Sequence, residues 1–259
     1  MQTRREIICS GLGLVGIIAA GKAPAAVVKS MLSTRKEIAA GGGDKPHSAK
    51  SYVQDGLVAM WDGIENAGWG VHDPNATVWK DLVGGFGDWE IPNSTVYENY
   101  IHLTNDKPII ETTYRLGGTW QFVYGDIKQT SSPVILIFGR VKSYTSGLFM
   151  FPYYYFNEGC EQWWLNQSGF RPFLNASPSG FHSRTCVVSS NIVFYDGDVE
   201  ALNRTGDYQG RTFDLLSIGG YNGGSSNVKC MSMRYYSRAL TADDIAANYA
   251  IDKVRFNLD

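Results

Sequence analysis

From Ser51 onward the chain is written in short runs of strand-forming residues separated by turn clusters, with no long helical pattern among them. That rhythm constrains the fold more than anything else in the sequence. "SPVILIFGRVK" at Ser132–Lys142 strings Val, Ile, Leu and Phe together over the length of a fully buried strand. "GLFMFPYYYF" follows a turn at Ser143–Gly147, and its Pro152, lacking an N–H for the ladder, is expected at an edge or a bulge. "RTCVVSSNIVFYDGDVEAL" reads as two strands and a tight hairpin at Asp196–Gly197, because Asp-Gly accepts the positive φ angles of such turns. "FDLLSIGGYNGGSSNVKCMSMRYYSRAL" gives a further pair joined by a glycine-rich loop. The spacing predicts an all-β fold, a two-sheet antiparallel sandwich of jelly-roll type. Composition agrees: 29 glycines, 13% aromatic and 19% charged residues suit a turn-rich β domain. With 259 residues and 44% hydrophobic content the chain can bury one large core or two small ones.

The chain ends differently. In "MRYYSRALTADDIAANYAIDKVRF" a strand pattern over Met231–Tyr236 runs into a short helix. Thr241 is placed as N-cap, Asp243 and Asp244 lie in the first turn where free N–H groups favour negative charge, and Asp244 can close a capping box. Ile245 and Tyr249, with Ala246 beside them, give the helix one apolar face.

The first forty residues form a separate unit. The apolar run from Ile7 to Ala20 is shorter than the ~20 residues of a membrane span and is broken by glycines. Arg4 and Arg5 followed by "APA" at Ala23–Ala25 resemble a signal peptide, with "TRREII" similar to a twin-arginine export signal. The rival reading, and the favoured one, is a retained helical arm that docks on a protein partner. The chain therefore divides into an arm or signal-like segment at 1–43, a flexible linker at 44–50 and a sandwich at 51–259. The net charge of −2 supplies no basic field for nucleic acid. Cys9, Cys160, Cys186 and Cys230 form no CxxC pair, which argues against a zinc cluster; the last three read as buried thiols, with a disulfide between two of them left open.

Three stretches then carry a family resemblance. "DGLVAMWDGIENAG", "NIVFYDGDVEAL" and "LLSIGGYNGG…MRYYSRALTADDIAANYAID" occur in this order and together resemble the laminin-G-like branch of the concanavalin A-like lectin/glucanase superfamily. The resemblance covers residues 51–259. It implies that the first strand pairs with the last, that "YDG" sits in a hairpin and that "YSRALTADDI" closes the domain with a helix of structural role. Trp69–Gln129 departs from the pattern and is expected to be an insertion or long loops. Domains of this kind occur in phage- or prophage-encoded and bacterial surface proteins.

The chemistry expected of the chain follows from what that resemblance would require. Glycoside hydrolysis needs two carboxylates about the scissile bond, and the E-x-D-x-x-E run of related glucanases is absent. Asp88 and Glu90 in "DWEIP" are the nearest substitute; Glu158 and Glu161 lie beside aromatics, and Asp198 and Glu200 follow the Asp196 turn. There is no G-x-S-x-G, and His47, His72, His102 and His182 are expected in polar loops. No catalytic residue is assigned. Calcium is the one cofactor considered, with Asp62, Asp73 and Asp81 available but in no ligand-spaced run. Sugar rings dock on aromatic faces, which makes Trp69, Trp89, Trp120, Tyr153, Tyr155, Trp163 and Trp164 the candidate ligand-binding residues. The expectation is a non-enzymatic module that recognises glycan or cell-surface polysaccharide, on a virion or cell surface, with the arm contacting a protein partner and homo-oligomerisation left open. The alternatives are a structural assembly protein, or an exported glycoside hydrolase using Asp88 and Glu90 or Glu158.

Overall fold

The computed structural model describes residues 48–104, 109–115, 117–125, 134–140, 147–155, 160–165, 180–188, 192–201, 212–218 and 227–258. Within 134–140, 147–155, 160–165 and 192–201 it describes the backbone, with side chains at Asp196 only. The chain divides into two compact units, Met1–Asp44 and Lys45–Asp259. The expected arm, Cys9, His47 and Glu158 lie outside the described residues.

The described residues form fifteen strands and one α-helix: β1 (Leu57–Asp62), β2 (Val78–Trp79), β3 (Trp89–Glu90), β4 (Thr95–Val96), β5 (Ile101–Leu103), β6 (Ile109–Arg115), β7 (Thr119–Gly125), β8 (Val134–Arg140), β9 (Gly147–Tyr155), β10 (Cys160–Leu165), β11 (Phe181–Val187), β12 (Ile192–Tyr195), β13 (Asp198–Ala201), β14 (Thr212–Ile218), β15 (Val228–Tyr236) and helix α1 (Ala242–Phe256). The larger sheet runs β13-β12-β11-β7-β15-β5-β4, and β1 also pairs with β15. The smaller sheet runs β10-β9-β8-β14-β6, and β2 and β3 make a separate ribbon. The pairings are antiparallel.

Alternation along the strands assigns the faces. Trp120, Phe122 and Tyr124 of β7, Cys186 of β11, and Met233 and Tyr235 of β15 point inward, where they meet Ile110, Phe213, Leu216 and Ile218 of the smaller sheet in one buried cluster. Two sheets face to face over a shared apolar core make a β-sandwich. The other face of β7 carries Thr119, Gln121 and Val123, and all seven of its residues are buried. Helix α1 explains this. Asn248 on α1 donates to Gln121 Oε1 at 2.7 Å and to the Tyr236 hydroxyl at 3.0 Å, while Phe256 packs on Val123. The helix starts as its sequence dictates: the Thr241 hydroxyl accepts from the Asp244 N–H at 3.1 Å and Asp244 Oδ2 accepts from the Thr241 N–H at 3.0 Å. Asn257, left-handed at φ 51°, ends it.

Several local expectations meet their counterparts. β1 pairs with β15 from Leu57↔Tyr236 to Asp62↔Ser232. Asp196 (φ 50°) and Gly197 (φ 84°) turn the β12–β13 hairpin. Cys186 and Cys230 are buried free thiols.

Other expectations are corrected. The described parts of 69–129 are no insertion: they supply the β2–β3 ribbon, β4 and β5, β6 of the smaller sheet, and β7 within the larger sheet. The "RTCVVSS…DVEAL" stretch spans three strands, not two. β14 and β15 belong to different sheets, so these two strands do not pair with each other; the glycine-rich stretch between them lies outside the described residues. Pro152, by contrast, meets the bulge alternative of its expectation: it lies inside β9 between β8 and β10, and the β9–β10 register slips opposite it, between Gln162 and Trp164. His102 and His182 stand on β5 and β11, not in loops.

Candidate functional site

Under helix α1 the outer face of the larger sheet gathers five ionic side chains and a tyrosine, all buried. Arg234 of β15 binds Asp252 of α1 through two bonds of 2.8 and 2.7 Å. The Tyr52 hydroxyl donates to Asp252 Oδ1 at 2.7 Å and the Ser183 hydroxyl to Asp252 Oδ2 at 3.1 Å. Arg255, one turn further along α1, binds Asp62 Oδ1 at 2.8 Å and Glu65 Oε1 at 3.2 Å. Glu65 also accepts from the Ala49 N–H at 2.7 Å and the Gly70 N–H at 2.8 Å, which ties the start of the sandwich to the same point. Tyr52 fills the space between the guanidiniums, with Arg234 3.9 Å from its ring centroid.

This network is a fastening and not a reaction centre. Asp252 is satisfied by Arg234 and two hydroxyls and Glu65 by Arg255 and two N–H groups, while Asp62 accepts through Oδ1 and keeps Oδ2 buried without a partner. No solvent reaches Asp62, Arg234 or Asp252, each with no exposed surface. Burial pushes the Asp62 carboxyl upward, against the opposing pull of Arg255. Burial also raises Glu65, but the N–H groups of Ala49 and Gly70 and the Arg255 guanidinium outweigh it and hold Glu65 below its ordinary range.

Accessible chemistry lies at the rim. His182 on β11 meets Asp196 in the β12–β13 turn, Nδ1 to Oδ2 at 2.9 Å, and both are half-buried. Asp196 also accepts from the Ser183 N–H at 2.8 Å and from the Arg184 guanidinium at 3.3 Å. Burial raises Asp196, but His182, Arg184 and the Ser183 N–H together hold it lowered, so it stays ionised beside the imidazole. A histidine oriented by a carboxylate where solvent reaches it is equipped to take or give a proton. The adjacency of His182, Ser183 and Arg184 was in the sequence; its meeting with Asp196 required the β11–β12 register, which pairs Arg184 with Tyr195.

The residues singled out from sequence scatter. Trp89 and Trp120 have no exposed surface and fill the core, Trp89 5.4 Å from Trp61 and Trp120 4.7 Å from Tyr235 between ring centroids. As ligand platforms they are corrected: the ribbon and β7 turn their large apolar rings inward, where burial of such rings stabilises most. Trp69 is half-buried against the Ala49, Tyr52, Met60 and Leu82 cluster, with the Lys50 ammonium 5.4 Å over its ring. Tyr153 and Tyr155 stand on β9 and Trp163 and Trp164 on β10, the edge of the smaller sheet; their side chains are outside the described set. Asp88 accepts from Lys80 at 2.7 Å and from the Asp81 N–H at 2.9 Å, just before the exposed Glu90. Asp81 binds the N–H groups of Met60, Val83, Phe86 and Gly87 and so organises the loop joining β2 to β3. Asp73 and Asp62 likewise bind backbone N–H groups. Among the described residues no three His, Cys, Asp or Glu side chains gather as metal ligands, and no helix is long and apolar enough to cross a membrane.

No protein-family model matches the chain, and no curated protein matches it in sequence. Solved structures do share its fold. Trypanosoma rangeli sialidase in complex with the inhibitor DANA is 16% identical with a TM-score of 0.56, over 87% of this chain and 38% of that one. The same enzyme with sialic acid gives 15% and 0.54, over 89% and 39%, and with 2,3-difluorosialic acid as a covalent intermediate 15% and 0.55, over 89% and 40%. The chain thus spans about two fifths of the length of these sialidases. These neighbours correct the expectation of a non-enzymatic binding module, since the sialidase structures match nearly nine tenths of this chain. The expected lectin, adhesin and virion character finds no counterpart among them.

Proposed function

We propose that the chain acts on glycans, as the β-sandwich portion of a glycoside-cleaving enzyme. The observation that carries this is the fold shared with sialidase over almost nine tenths of the chain. The β1–β15 pairing, the Asp196–Gly197 hairpin and the closing helix, all implied by the laminin-G-like resemblance, support a concanavalin A-like form of the sandwich. Glycoside cleavage needs a group to protonate the departing oxygen and a carboxylate or activated water opposite it. Among the solvent-reached titratable groups of the described part, two are the candidates for this role. One is His182, steadied by Asp196. The other is Glu90, since its neighbour Asp88 is already engaged by Lys80. Trp163 and Trp164, on the edge strand β10, are substrate-contacting candidates. An exported location fits the same reading, with Arg4, Arg5 and Ala23–Ala25 as the export-like stretch.

The test is turnover of a panel of aryl glycosides, sialosides and arabinosides included, by the full chain and by His182→Gln and Glu90→Gln. Hydrolysis that falls by 100-fold or more in one of the two variants, as removal of a proton-transfer group predicts at about 10²–10⁴-fold, supports the reading and locates the chemistry. Absence of hydrolysis on every member of the panel, in protein shown to be folded, overturns it.

A further inference from the structure

The turn between β4 and β5 presents an aromatic shelf that the reaction above does not use. The Tyr97 N–H donates to the Tyr100 carbonyl at 2.9 Å, closing a turn whose two tyrosine rings stack 4.4 Å apart at 18°. Tyr100 continues onto Phe181 of β11, 5.5 Å away, and the Lys229 ammonium lies 5.4 Å from the Tyr100 centroid. Tyr97 is 43% exposed, the one aromatic among the large apolar side chains that the described residues leave in solvent. Polar residues lie along the same strand pair: Glu98 and Asn99 in the turn, and His102, which pairs with Thr95 and meets Asn227 at 2.9 Å. The shelf is also held in place. A Cβ on Gly63 would stand 2.8 Å from both the Asn99 carbonyl oxygen and the Tyr100 Cα, so the β4–β5 turn is seated directly on backbone that only glycine leaves open.

We propose that this shelf is a sugar-stacking subsite, in which one pyranose ring of an oligosaccharide lies on the open face of Tyr97. A pyranose offers an apolar C–H face to an aromatic ring and hydroxyls around its edge. The shelf offers both parts, a ring backed by Tyr100 and, on the same turn and strand pair, the polar residues Glu98, Asn99 and His102, with Lys229 over Tyr100. Because the ring is already fixed by stacking and by the turn, little side-chain freedom is lost when a sugar covers it. The proposal rests on the glycan-acting reading and specifies a contact separate from His182 and Glu90. It therefore bears on longer substrates more than on single-sugar ones.

The experiment is affinity electrophoresis of the full chain through gels containing soluble polysaccharides, run beside the aryl-glycoside assay. The subsite predicts that Tyr97→Ala weakens retention by about tenfold, the effect of losing roughly 1.4 kcal/mol of ring contact. Tyr97→Phe keeps the ring and is expected to keep the retention. Small aryl glycosides are expected to turn over equally in all three proteins. Retention within twofold of wild type in Tyr97→Ala overturns the subsite even where turnover persists. Loss of turnover with retention still dependent on the Tyr97 ring overturns the enzymatic reading and leaves the shelf as a sugar contact.

Discussion

The two faces of the larger sheet are both buried at β7 and β15 but are built differently. The inner face is aromatic and aliphatic, with Trp120 and Phe122 stacked at an interplanar angle of 4° and Tyr235 beside them. The outer face adds to its apolar contacts with α1, such as Val123 and Met231 with Phe256, a buried ionic network of Arg234, Asp252, Arg255, Asp62 and Glu65. The difference lies in what each face specifies. Apolar packing is tolerant of direction, and the inner face holds the smaller sheet through area alone. A bidentate arginine–carboxylate pair has one geometry, so the outer face fixes where α1 lies and where the segment from Ser48 to Val53 enters.

The sharpest break of that comparison is Asp252→Ala against Trp120→Ala. The first strands Arg234 as a buried charge and removes the acceptor of Tyr52 and Ser183, with an expected loss of about 3–5 kcal/mol. The second opens a cavity at a similar cost of about 3–5 kcal/mol. The two then diverge under repair. Arg234→Met combined with Asp252→Leu is expected to recover more than half of the Asp252→Ala loss, because an apolar pair of similar volume can replace a buried ion pair. Urea unfolding of the set checks this, and a double variant no better than Asp252→Ala would show that the ion pair is not the element that seats the helix.

A smaller effect is expected in acid. The folded chain holds Glu65 below its ordinary 4.5 and Asp196 below its ordinary 3.8. Their contribution is therefore present above those values and lost as pH falls through the lowered ones. Asp62 is raised above 3.8, so its contribution has the opposite sign: present below that value and lost as pH rises through the higher one. Glu65→Gln is expected to flatten the acid side of a stability–pH profile, and an unchanged acid limb would contradict the role given to Glu65. The least effect belongs to the solvent-facing pair. Lys80→Ala removes its 2.7 Å bond to Asp88 and is expected to change stability by about 0–1 kcal/mol. A larger loss would mean that the β2–β3 loop depends on that pair and not on Asp81.

The same contrast explains what could be read from the sequence. The Thr241 cap, the Asp196–Gly197 turn and the strand leading into α1 are local, and each is written in adjacent residues. β7 was hidden because its outward Thr119 and Gln121 resemble solvent positions; they are buried because the Arg238–Leu240 segment binds Thr119 and Asn248 of α1 binds Gln121. The ionic network was invisible for the same reason, since Arg255 and Asp62 are 193 residues apart. Trp89 and Trp120 illustrate the converse. Nothing local separates a tryptophan that fills a core from one that meets a ligand, and both proved to be core. At the candidate site, "YENY" and the His182–Arg184 run were in plain view, but their partners Phe181, Lys229 and Asp196 arrive only through the sheet register.

The central claim is that the chain cleaves glycans. The measurement that bears on it most directly is mass spectrometry of a mixed oligosaccharide pool incubated with the full chain. The account predicts that at least one component loses a sugar residue over time, and that the same component persists with His182→Gln or with Glu90→Gln. A pool that remains unshortened in the presence of folded wild-type protein would contradict it.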